Sequence, residues 1–120
     1  MKGVHLRFYT LERTRIHHSL AYDWLLRQAK KMNIPGGSVF HAMAGYGRHG
    51  RLHDQNFLEV ADEPVLIEFI LSEEQADKLL ALIAAEGLHL FYAKLPAEYG
   101  FVGVPNVTST GPAPDGNKSI

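Results

Sequence analysis

Val4, Leu6 and Phe8 alternate with His5, Arg7 and Tyr9, and this period of two predicts a strand over residues 4–9. Polar residues 10–15 follow, and then the period changes. Ala21, Leu25, Ala29 and Met32 recur at spacings of four and three, with Leu20 and Trp24 widening the stripe. That predicts an amphipathic helix over 17–32, with Arg27, Gln28, Lys30 and Lys31 on its wet side and Trp24 in the core. Asn33-Ile34-Pro35-Gly36-Gly37 ends it, because a residue before proline disfavours the α region.

Residues 38–43 are short, apolar and rich in strand formers, and run into a glycine-rich polar segment over 45–56. Residues 57–60 read as a short returning strand, and the run PVLIEFIL over 64–71 as a long one. Ser72 with Gln75 fits a capping box for a second helix, whose apolar face is Ala76, Leu79, Leu80 and Ile83. Gly87 stands where a left-handed helix cap belongs, and a fourth strand is expected over 88–95. The order is β-α-β-β-α-β. This predicts an α+β, ferredoxin-like sandwich: a four-stranded antiparallel sheet with two helices on one face. The domain boundary is placed at 1–99, with a Gly- and Pro-rich polar tail over 100–120.

The other face of such a sheet should alternate cleanly if it meets water. It does not, because Leu66 and Ile70 flank Glu68 opposite Val65, Ile67, Phe69 and Leu71. An uncovered face this apolar predicts a homo-oligomer whose sheets pack together. Arg7 and Glu68 are charges on neighbouring strands, expected as an ion pair that sets subunit register. His5, Tyr9, His41 and Lys94 are expected to border that region. Tyr92 is expected to pack rather than stack on a ligand.

Composition narrows the function. The chain has 120 residues, a formal net charge of −1 and no cysteine. Disulfides, thiol catalysis and thiolate metal sites are excluded, and nothing in the overall charge points to nucleic acid. Residues 1–7 become charged too early for a signal peptide, and no apolar run nears the ~20 residues that span a bilayer. A cytoplasmic protein that is not integral to a membrane is expected.

The chemistry concentrates in Ala44-Gly45-Tyr46-Gly47-Arg48-His49-Gly50-Arg51-Leu52-His53. Glycines let another group approach the main chain, free N–H groups can line an anion-binding concavity, and guanidinium groups supply forked donors. Gly45, Tyr46, Gly47, Arg48, Gly50, Arg51 and His53 are therefore the candidate ligand-binding residues. The same glycines would also serve a bulge and tight turn at a strand end.

A βαββαβ chain with Gly45-Tyr46-Gly47-Arg48 closing its second strand, followed by Gly50-Arg51-Leu52-His53, resembles the PII signalling superfamily. It is most similar to the branch known as domain of unknown function 190, over residues 4–95. The resemblance implies a PII-like homotrimer with ligand clefts between subunits and an adenine nucleotide as effector. It also implies a mobile loop, about 46–56, that docks on a transporter, enzyme or regulator. One departure is plain. PII proteins carry a glycine- and lysine-rich phosphate loop between the second helix and last strand, and here that connection is only Ala85-Glu86-Gly87-Leu88. A nucleotide with fewer phosphates, or another anion, suits this chain better than a triphosphate.

Two other readings stand beside this one. CutA-type trimers share the fold and are linked to metals, which would enlist His49 and His53. An interaction module without any small ligand is the third. No metal ligand is assigned, because His17-His18 point apart on a helix and no His-Glu-x-x-His pattern occurs. No catalytic residue is assigned either: there is no G-x-S-x-G elbow and no Walker-type phosphate loop. The expectation is a regulator, not an enzyme, and one that requires no cofactor.

Overall fold

Four strands form one antiparallel sheet in the order β4-β7-β1-β8. These are β1 (Lys2–Leu11), β4 (Gly37–His41), β7 (Pro64–Leu71) and β8 (Phe91–Glu98). The structure is a computed structural model that describes residues 1–46, 52–54 and 63–105. Helix α1 (Ala21–Lys31) lies between β1 and β4, and α2 (Glu73–Ala85) between β7 and β8. This is the ferredoxin-like sandwich that the periodicities predict. Short pairs complete it: β2 (Arg15–Ile16) with β3 (Ser19–Leu20), and β5 (Ala44–Tyr46) with β6 (Leu52–Asp54).

The period-2 pattern sets which residues turn inward. Val4, Leu6 and Phe8 of β1 join Val65, Ile67, Phe69 and Leu71 of β7 in one core with Trp24, Leu25, Leu79 and Ile83 of the helices. No polar side chain is buried among the described residues, so the core is stabilised by apolar burial and packing. Phe69 meets Phe8 edge to face, with ring centroids 6.3 Å apart. Its ring also lies over Gly37, where a Cβ would come within 2.4 Å of it. Glycine is needed there for close approach.

Several element ends differ from the periodic reading. Helix α1 begins at Ala21, not residue 17, because His17 sits at φ 57 and closes the small β2–β3 turn. A left-handed residue cannot continue a right-handed helix. Ile16 is buried in that turn, and the Ala21 N–H donates to the Thr14 carbonyl. The last strand spans Phe91–Glu98, three residues later than expected, since Gly87 at φ 74 ends the helix and residues 88–90 only connect. The returning strand expected over 57–60 lies outside the described residues.

The capping box is formed. Ser72 Oγ accepts from the Gln75 N–H at 3.1 Å, and the Gln75 side chain accepts from the Ser72 N–H at 3.3 Å. Ser72→Ala removes both the acceptor and the reciprocal geometry, and should cost about 1 kcal/mol. A urea titration checks this through a lowered midpoint at unchanged slope.

Candidate functional site

Strand β4 ends at His41, and the chain crosses Ala42 and Met43 into β5. There Gly45 pairs with His53, Ala44 with Asp54 and Tyr46 with Leu52. Part of the glycine-rich segment is therefore a two-stranded ladder rather than open loop. The pairing brings Gly45 and His53, eight positions apart in the chain, opposite one another. Among the described residues a Cβ added at Gly45 would meet nothing within 4 Å, and the backbone angle there does not itself demand glycine. Tyr46 is exposed. Gly47, Arg48, Gly50 and Arg51, with His49, lie outside the described residues.

The open face of the sheet is the second part of the site. Cross-strand partners share a face, so Arg7, Glu68, Ser38 and Ala93 form one row and Tyr9, Leu66, Phe40 and Phe91 the next. Phe40, Tyr9, Phe91 and Leu95 are exposed by 48, 41, 54 and 48%. That is a broad apolar surface on a single chain, well beyond isolated exposed side chains. The Tyr9 and Phe91 rings lie 5.5 Å apart.

The expected charges meet in the middle of this face. Glu68 Oε2 lies 3.0 Å from His5 Nε2 and 3.6 Å from Arg7 Nε, and the Arg7 Nε–H donates to His5 Nε2 at 3.2 Å. Glu68 also lines a groove of about 330 Å³ at the far end of the face, between Ser38 and Ile70 on the sheet and Tyr99 and Phe101 beyond β8. Lys94 is a correction: it pairs in register with Leu6 and so stands on the helix side. Its Nζ lies 3.4 Å from Asp77 and 3.9 Å from Glu73 of α2. His41 too shares its face with Val65, at the edge of the helix side. There it meets Glu12 and Glu63, which pattern reading does not single out. Nothing local marks those two residues, which are brought together by the antiparallel pairing of Leu11 with Pro64.

The connection from α2 to β8 also has a defined chemistry. The Glu86 N–H donates to Leu82, the Gly87 N–H to Ala84 and the Leu88 N–H to Ile83. These three amides are committed to closing the helix and are not free to cradle a phosphate.

The family model DUF190, described as Uncharacterized ACR, matches residues 3–88. The chain belongs to the DUF190 family. A UPF0166 protein of Aquifex aeolicus (strain VF5) is 29% identical over 96 residues, covering 72% of this chain and 91% of the relative. Among solved structures, CPII of Thiomonas intermedia K12 superimposes with a TM-score of 0.61 at 14% identity. The match covers 84% of this chain and 91% of CPII, a nitrogen regulatory PII-like protein bound there to ADP, AMP and bicarbonate. A candidate PII-like signalling protein from Thermus thermophilus gives a TM-score of 0.56 at 17% identity, over 81% of this chain and 86% of that one. The DUF190 chain therefore has the PII-like fold. No helix among its described residues is long and apolar enough to cross a membrane.

Proposed function

We propose that this DUF190 protein is a PII-like regulator that binds a small anionic effector, an adenine nucleotide, in clefts between the subunits of a homotrimer. The observation that carries the reading is the fold match, over 84% of this chain, to a PII-like protein holding ADP and AMP. In support, no described residue stands within 4 Å of a Cβ at Gly45 on the strand end. Arg48, Arg51 and the amides of residues 45–51 take the phosphates, with Tyr46 and His53 at the border. The apolar open face packs against neighbouring copies, which makes each strand end half of a site. Effector binding then alters segment 46–56 and its affinity for a protein partner, as a ligand can shift an equilibrium only through differential affinity. The role is regulatory and not catalytic, requires no cofactor, and belongs in the cytoplasm.

The amides of Glu86, Gly87 and Leu88 are committed to the end of α2, which favours ADP or AMP over ATP as the effector. Calorimetry with ATP, ADP, AMP and cyclic AMP tests the reading. We expect binding of at least one, and a loss of tenfold or more in Arg48→Ala/Arg51→Ala, since a hydrogen bond to a charged group contributes roughly 1.5–3 kcal/mol. Silence with all four nucleotides would remove the reading.

A further inference from the structure

Where the chain leaves the sheet at His41 and re-enters it at Pro64, three metal-type donors converge. Glu12 follows β1, His41 ends β4 and Glu63 precedes β7, and one donor atom from each lies within 4.8 Å of the others. The geometry points to a divalent transition-metal site at this root, with His41 and Glu12 as ligands and Glu63 as the residue that positions the imidazole.

The distances distinguish the roles. His41 Nδ1 lies 3.0 Å from Glu63 Oε2, an ion-pair contact. A carboxylate on the Nδ1 side favours the tautomer that leaves the Nε2 lone pair for a cation, the way a carboxylate orients a metal-ligating histidine. Nε2 faces Glu12 Oε1 at 3.8 Å, beyond hydrogen-bond length. Two donors each about 2.1 Å from a zinc ion at a tetrahedral angle stand about 3.4 Å apart. A shift of a few tenths of an ångström closes the pair onto a cation.

The scaffold holds these donors in place. The Glu12 N–H donates to the Glu63 carbonyl at 2.7 Å, and the Ala42 N–H to the Pro64 carbonyl at 3.0 Å. The ligands therefore sit on paired strand ends, which position a site better than free loops do. Charge points the same way: two carboxylates flank one imidazole, and a cation offsets their mutual repulsion. His41 is half exposed, leaving room for water in the remaining coordination positions. Imidazole plus carboxylate suits Zn²⁺ or Co²⁺, whereas Mg²⁺ and Ca²⁺ prefer oxygen alone. Because His41 and Glu63 bracket residues 42–62, a bound ion would tie both ends of that segment to the end of β1.

The test is Zn²⁺ titrated by calorimetry into the full chain carrying no affinity tag. One ion per chain is expected, with affinity at least 100-fold lower in His41→Ala and 10- to 100-fold lower in Glu63→Gln. His18→Ala, an exposed histidine elsewhere, should match the wild type. Co²⁺ should give a visible absorption band with the wild type that His41→Ala lacks, and circular dichroism without metal should be the same for all. No zinc binding by the wild type, or equal binding by His41→Ala, would overturn the site. The nucleotide titration is a separate measurement, so either reading can fail without the other.

Discussion

Phe69→Ala is expected to remove about 3–5 kcal/mol of stability, the cost of deleting a fully buried aromatic side chain. A small domain has only about 5–15 kcal/mol in total, so much of its margin would go. The ring is almost completely buried, meets Phe8 at 6.3 Å and lies over Gly37. Its removal opens a cavity between β7, β4 and the helices that strands cannot readily collapse into. A urea titration should show a much lower midpoint at unchanged slope. The contact with Gly37 gives an independent check. Gly37→Ala alone drives a Cβ to 2.4 Å from the ring and should destabilise the protein. In the Phe69→Ala background most of that penalty should vanish, and additive losses would contradict the packing described.

The second large effect concerns assembly. Phe91→Asp puts a carboxylate beside Tyr9 on the open face, at a position more than half exposed in the single chain. The isolated fold should tolerate this with little loss. If copies pack through that face, however, the new charge loses its water without gaining a partner, at a cost of several kcal/mol. Sedimentation velocity should then show a wild-type trimer and a folded, monomeric variant. A wild type that sediments as a monomer would remove the interface, and with it the shared effector cleft. Glu68, His5 and Arg7 lie close by on the same face, so their ion pair would be enclosed by the same association.

The sheet supplies a stiff platform, and residues 42–62 leave it and return to it beside Glu12. The regulatory role proposed above would use the sheet as the fixed framework against which a ligand biases a second state. Aromatic packing under Gly37 secures the framework, and the open face would place three such platforms side by side.

The chain by itself determined the type and order of the four long strands and two helices, and the inward faces of β1 and β7. Those rest on local physics: alternation in β1 and β7, fourfold and threefold spacing in the helices, the Ser72–Gln75 box, and Gly87 at a positive φ. The strand over 64–71 and the burial of Trp24 followed for the same reason. Tertiary structure decided where elements begin when a local conformation overrides the period, as His17 does before α1. It decided that Lys94 turns toward Asp77 and not the open face, since pairing with Leu6 of β1 fixes which side of the sheet that position takes. It alone gathered Glu12, His41 and Glu63, separated by up to 51 positions in sequence, because strand register converts distance along a chain into contact. The glycine-rich segment was legible as chemistry. That its beginning forms a ladder with Gly45 opposite His53 needed the partner strand, for a β-pair is a relation between two segments and is written in neither alone.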